Sequence, residues 1–396
     1  MEERPAPIVL VVDPGEPDLP FGSYRAVLAS AGHLLSAELS LRLARQGAAV
    51  VPIQPEEPPL GHEFHWGRWF ASAARRVLES ASAEGRRVDA IGYAGAGSLA
   101  LLADAELDLL ISPVPGEVVA NNRFSADAFV VAGADLRGEA APDGTTRIGP
   151  SLARALDRLE ACPADNTAVR CLESAGFRSR DLGDRPWSRF DVDTPLDLAL
   201  LRLATRLPGM RGLDPTLAAF LEMARLPGGG ELAVPHLERI GSVLRDQGAE
   251  LVITGRVPSS VLRELETEVA CRVRAVVEER GMRSARGGRP RSLLARWVEE
   301  RGAASLVSEL ATLGDAVILD SRVVMAGLSG SSEARSWPPS EERYASDFGD
   351  AAPIATPWLR ELVEAAAASR VPILMGGHAL VSDGLRLVLA AAWLGR

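Results

Sequence analysis

The residues best suited to chemistry lie in one short acidic run, Phe190-Asp191-Val192-Asp193-Thr194-Pro195-Leu196-Asp197-Leu198. Asp191 and Asp193 are two positions apart, so on an extended backbone both carboxylates face one side and could together hold a divalent cation. The residues that follow have another use: Thr194 suits a helix N-cap, Pro195 its first turn, and Asp197 the reciprocal position of a capping box. Capping accounts for those three residues and leaves Asp191 and Asp193 unexplained. The sequence keeps both readings of the pair open.

Other groups share the pattern of a strand-like run that ends in polar or flexible residues. Gly95-Ala96-Gly97-Ser98 follows the strand-like segment from Val88 and reads as the opening of a helix through Leu102. Its N–H groups could meet a phosphate there, and a plain tight turn is the other reading. His62-Glu63-Phe64-His65-Trp66-Gly67-Arg68-Trp69 precedes a helix and could stack a base or hold a phosphate through Arg68. Alternatively Trp66 and Trp69 enter the core, and two histidines without a third ligand make no metal site. In the second half, three clusters follow three strand-like runs: Glu278-Glu279-Arg280, Asp320-Ser321-Arg322 and Gly376-Gly377-His378. Glycines admit close backbone approach, a histidine exchanges a proton near neutral pH, and arginines suit an anion. In a parallel sheet every strand's C-terminal end reaches one edge, so Gly376, Gly377, His378, Asp320, Arg322, Glu279 and Arg280 are expected to converge.

The elements that must position these residues alternate. Strand-like runs at Pro7 to Val12, Ala48 to Ile53, Val88 to Gly92, Glu117 to Ala120 and Ala128 to Ala132 are interleaved with helical spacing at Ala31 to Gln46 and Gly67 to Ala83. That order predicts a mostly parallel sheet covered by helices. Gly and Pro crowd around Leu207-Pro208-Gly209 and Leu226-Pro227-Gly228, which suggests a first domain over 1–205, a helical connector over 206–234 and a second α/β domain over 235–396. Within the latter, Leu328 to Phe348 reads as a long loop.

Composition bounds the partners. The 396 residues carry a net charge of -10, which argues against nucleic-acid binding, and all 43 basic residues are arginine. A bound phosphate must therefore meet arginine, backbone N–H groups or a metal. No apolar run approaches the roughly 20 residues of a membrane span, and the acidic N-terminus lacks a secretory pattern, so a cytoplasmic location is expected. Cys162, Cys171 and Cys271 form no C-x-x-C pair and read as buried thiols.

Asp191 to Leu198 resembles the Asp-Ile-Asp-Thr-Pro-x-Asp-Leu stretch of molybdenum-cofactor guanylyltransferases and 2-phospho-L-lactate guanylyltransferases, and the similarity extends weakly over about residues 7 to 205. It implies a Rossmann-like nucleotidyltransferase domain that transfers a nucleotidyl group from a nucleoside triphosphate to a small phosphorylated acceptor and releases pyrophosphate. By the same resemblance Asp191 and Asp193 would hold Mg²⁺, and Arg25, before Ala26-Val27-Leu28, takes the place of the family's lysine. The nucleotide would lie along Asp13, Gly15, Gly22, Gly97, Ser98, Asn122 and Asp127. Two departures matter: Ser98-Leu99-Ala100 stands where the family has an Asp-x-Pro metal ligand, and Pro14, Pro17 and Pro20 remove N–H donors from the triphosphate loop. They favour, as the alternative, a nucleotide or sugar-phosphate binder without catalysis; a glycosyltransferase, whose paired carboxylates should lie mid-domain, ranks last. Homo-oligomer formation is left open.

Overall fold

The structure, a computed structural model, describes residues 5–15, 19, 22–55, 64–134, 139–140, 146–147, 151–281 and 290–394. It divides into two compact units. One comprises Met1–Pro17 and Ala29–Asp191, the other Asp18–Leu28 and Val192–Arg396. Each is α/β with a sheet rich in parallel pairs.

In the first unit the strands are β1 (Ile8–Val12), β2 (Ala49–Ile53), β3 (Ala90–Ala94), β4 (Glu117–Ala120), β5 (Ala128–Ala132) and, after the two-residue strands β6 (Glu139–Ala140) and β7 (Thr146–Arg147), β8 (Arg178–Asp181). The main sheet has the order β2-β1-β3-β5-β4-β8. All its pairs are parallel except those of β5, which runs antiparallel to both β3 and β4. β5 reverses because only the turn from Asn121 to Asp127 joins it to β4, too short for a parallel crossover.

Alternation along β1 sends Ile8 and Leu10 to one face and Val9 and Val11 to the other, so each face has its own core. On the first face Trp66, Phe70, Tyr93 and Phe129 pack edge to face or stacked, with centroids 5.1 to 6.2 Å apart. The helix Trp66–Ala83 crosses Leu152–Glu160 so closely that a Cβ on Gly67 would lie 2.0 Å from the Leu159 carbonyl oxygen. Cys162 and Cys171, expected as separate thiols, are joined in a disulfide, while Cys271 is a buried thiol.

The helix expected to open at Gly95 is absent. Turns run from Ala96 to Leu101, Leu99 has a φ of 61°, and the helix begins at Asp104. Two glycines weaken any helix there. The carbonyls of Leu99 and Leu102 instead accept from the buried Arg42 guanidinium, which also donates to Asp104.

The second unit holds β9 (Glu250–Gly255), β10 (Arg272–Val277), β11 (Ala316–Asp320) and β12 (Ile373–Gly376), all parallel, in the order β10-β9-β11-β12. The stretch read as a loop from Leu328 to Phe348 contains the helix Ser340–Asp347. Its polar residues are used internally: Arg343 donates to the carbonyls of Ala334 and Pro338, and Glu342 accepts from the Thr356 N–H. Among the described residues no helix is long and apolar enough to cross a membrane.

Candidate functional site

In the first unit β1, β3, β4 and β8 end at one edge of the sheet, and β5 starts from it. Topology alone therefore gathers Asp13, Gly95, Asn121, Asp127 and Asp181. Asp13 Oδ1 accepts from the Gly15 N–H at 3.0 Å and lies 3.0 Å from His33 Nδ1. Burial works to raise its carboxyl, but the bonds from His33 and Gly15 win and hold it below its ordinary value. Gly15, at a φ of 70°, supplies the left-handed backbone this turn requires. Asp181 is built alike, with Oδ1 accepting from the N–H groups of Arg123 (3.1 Å) and Gly183 (2.8 Å).

Between them Asn121, 2% exposed, ties the edge together. Its Oδ1 accepts from the N–H groups of Asp127 and Ala128, and its Nδ2 donates to the Ser188 carbonyl. Asn122, singled out from the sequence, only turns the chain by accepting from the Phe124 N–H. Burial and then the Asp165 charge raise the Tyr93 hydroxyl well above its usual range; Asp127 and Asp191 add to the shift, which places both near this phenol.

Several expectations are corrected here. Gly97 and Ser98 lie in the turn described above and offer no helix N-terminus to an anion; Ser98, 3% exposed, donates to the Gly95 carbonyl at 2.8 Å. Trp66 and Trp69 are buried and cannot stack on a base, Arg68 is exposed, and His65 caps the helix by accepting from the Arg68 N–H. His62 lies outside the described residues, as do Pro17 and Pro20.

Asp191 and Asp193 do not end a parallel strand. Asp191 makes an isolated antiparallel bridge with Ser98 and belongs to the first unit, whereas Asp193 belongs to the second. Asp193 leads into a complete capping box, in which Thr194 and Asp197 bond reciprocally at the start of the helix Pro195–Ala204. Asp197 Oδ2 accepts from the N–H groups of Asp193 and Thr194 and from the Thr194 hydroxyl. Burial, then the Asp193 charge, push the Asp197 carboxyl up to about 7. Among the described residues no three His, Cys, Asp or Glu side chains group as metal ligands.

Arg25 lies in the first turn of the helix Tyr24–Arg45. Its side chain is exposed, and its backbone N–H and that of Tyr24 donate to the two oxygens of Glu341, at 3.1 and 2.7 Å. A carboxylate of the chain itself thus occupies this helix N-terminus. The adjacent Tyr24 stacks on Phe348, with centroids 5.7 Å apart, and donates to Asp350. Gly22, at a φ of 84°, is an exposed turn residue.

At the C-terminal edge of the second sheet, Asp320 pairs in register with Gly376, and Val277 with Gly255. Asp320 is fully buried, and Arg256 grips it with a fork of 2.6 and 3.0 Å. Burial alone would raise the Asp320 carboxyl, but Arg256 holds it below its ordinary value. Gly255 makes room, since a Cβ there would lie 2.4 Å from that of Asp320. Arg322 forks Asp347 at 2.7 and 2.6 Å, and its backbone N–H donates to Asp320. Burial opposes the Arg322 charge and pushes the Asp347 carboxyl up; the fork keeps the guanidinium cationic.

His378 keeps a solvent-exposed face although protein packs around it. That burial, then the Arg256 charge, lower its imidazole to about 4; Arg280 adds to the effect and Asp320 opposes it. Asp320, Arg322, Gly376, Gly377, His378 and Arg280 thus share this edge. Glu279 does not act there: its carboxylate accepts from the Arg291 N–H, while Glu278 accepts from Ser292 and the Leu293 N–H at the start of the helix Leu293–Arg301.

The sequence reading passed over Arg256, Asp347, Asn121, His33 and Asp181. Arg256 had the signal already used elsewhere, a strand followed by glycine and a charge. Asp181 had none, because β8 reads Arg-Ser-Arg-Asp and shows no apolar alternation.

No family model and no curated protein matches this sequence. Among solved structures, a protein described as a nucleotide-diphospho-sugar transferase from Desulfovibrio desulfuricans G20 aligns over 55% of this chain and 94% of its own, at 11% identity and a TM-score of 0.35. A likeness at that level assigns neither a reaction nor a substrate.

Proposed function

We propose that the edge of the first sheet binds a nucleotide or sugar phosphate through the hydroxyl and N–H groups of its sugar and base. One observation carries this reading. Asp13 and Asp181 are each fixed through Oδ1 by backbone N–H groups, and their Oδ2 atoms accept no hydrogen bond from the described residues. A carboxylate held on one oxygen and open on the other is a preorganised acceptor for O–H or N–H donors. Phosphates would be repelled by the same carboxylates, so the phosphate end has to meet arginine, backbone N–H groups or a metal.

The catalytic form of this reading is nucleotidyl transfer to a phosphorylated acceptor with loss of pyrophosphate. In that reaction an acceptor phosphate oxygen attacks the α-phosphorus in line and pyrophosphate departs. The protein's task is to position the two groups and offset their charge.

Calorimetric titration with GTP, CTP, ATP and UTP, each with and without Mg²⁺, tests the binding. One of them is expected to bind, and Asp13→Asn or Asp181→Asn to weaken it by about tenfold, the cost of removing one charge-assisted hydrogen bond. If none binds at about 1 mM, a concentration matched to only the weakest specific affinities, the reading is wrong.

A further inference from the structure

The edge of the second sheet holds charged groups that the proposed function does not use. Arg256 and Arg322, 11% and 6% exposed at the side chain, are set around the fully buried Asp320. Two arginine–carboxylate forks buried side by side are a poor source of stability, because desolvation offsets most of the attraction. What they do well is fix two guanidinium planes. Asp320 takes Nε and NH2 of Arg256, and Asp347 takes NH1 and NH2 of Arg322.

Each cation keeps one donor without a partner among the described residues, NH1 of Arg256 and Nε of Arg322, and neither of these atoms is sealed from solvent. Gly377 lies beside the second donor: a Cβ there would be 3.9 Å from Arg322 Nε and 3.7 Å from its Cγ. The next residue, His378, engages Nδ1 with the Ser382 hydroxyl at 3.2 Å and leaves Nε2 without a partner among the described residues. Arg280 acts on the same imidazole. Arg256 and Arg322 bring two positive charges to this edge, matched by Asp320 and Asp347, on a chain whose net charge is -10.

We infer that this edge is a recognition site for a phosphate group, held by the donors Arg256 NH1 and Arg322 Nε over the bare backbone of Gly377, with His378 Nε2 accepting from a phosphate hydroxyl. Two guanidinium donors and one imidazole acceptor from three strand ends suit a phosphate that keeps a hydroxyl, and fixed guanidinium groups lose little freedom on binding it. A free phosphate and the terminus of a monoester both present at least three terminal oxygens, and the experiment distinguishes them.

The test is calorimetric titration of the full chain with inorganic phosphate and, separately, glycerol phosphate, with sodium chloride at matched ionic strength as control. Binding of either phosphate but not chloride is expected. Stronger binding of the ester identifies an ester as the source, and stronger binding of inorganic phosphate identifies the free ion. Gly377→Ala adds one methyl at an ordinary contact distance, so the fold should tolerate it, yet that methyl stands over Arg322 Nε. It should weaken phosphate by about tenfold or more, with an unchanged melting temperature, as loss of a charge-assisted bond predicts. His378→Gln provides a second variant on an exposed side chain and should also weaken binding. If neither phosphate binds at about 1 mM, or both variants bind it like the parent chain, the inference fails. Nucleotide binding at the first sheet should be weakened about tenfold in Asp13→Asn and retained in Gly377→Ala, so the two readings fail separately.

Discussion

The two sheet edges present opposite chemistries built by opposite means. The first edge is acceptor-rich, and its carboxylates Asp13 and Asp181 are held by backbone N–H groups in turns. The second is built from arginine side chains locked onto buried aspartates. A carboxylate held by peptide N–H groups stays partly exposed, and replacing it costs only those bonds. A buried ion pair leaves an uncompensated charge when one member is removed. The acidic motif that first drew attention divides between the two: Asp191 joins Ser98 in the first unit, and Asp193 to Asp197 cap a helix of the second.

The largest test of this contrast is Asp320→Ala against Asp181→Ala. Removing Asp320 strands Arg256 and should cost about 3–5 kcal/mol in chemical denaturation. Removing Asp181 should cost about 1 kcal/mol, the value of ordinary hydrogen bonds at a surface turn. Equal losses would erase the distinction between the two edges.

Acid and base titration should separate two groups of the second unit. The folded chain holds the Asp197 proton up to about pH 7, whereas the unfolded chain releases it near 3.8. That contribution to stability is complete below pH 3.8 and is lost as pH rises to about 7. His378 has the opposite sign. The folded chain takes up its proton at a lower pH than the unfolded chain, which does so near 6.5, so its contribution is complete above 6.5 and is lost as pH falls below it. Unfolding followed at pH 5 and pH 8 should show a flatter rise-side loss in Asp197→Asn and a flatter acid-side loss in His378→Gln. Unchanged slopes in both variants would contradict the assignments.

Smaller effects test the helix starts. Thr194→Ala removes half of the capping box and Glu341→Ala uncovers the Tyr24 and Arg25 N–H groups. Each should lower stability by about 1 kcal/mol. Arg25→Ala should change it by less than about 0.5 kcal/mol, because only the backbone of that residue is engaged. A larger loss in thermal unfolding would restore a role for the guanidinium.

Much of the fold was legible because it rests on local periodicity. The alternation of Ile8 to Val12, the strand Ala316–Asp320 and the capping box at Thr194 are all written within a few neighbouring residues. The convergence of Asp320, Gly377 and His378 was legible too, since a parallel sheet delivers every strand end to one edge. The partners of those residues were not. Asp347 sat in what looked like a loop, and its value depends on Arg322, 25 positions earlier. Arg42 unmade the expected helix at Gly95 by bonding carbonyls 57 and 60 positions away. Glu341 reached a helix start 317 positions before it. The α/β class, the positions of most strands and the local caps follow from neighbouring residues, because short-range sterics and hydrophobic period decide those. Only the tertiary structure decided which charge meets which, because an ion pair depends on distance through space and carries no signal along the chain.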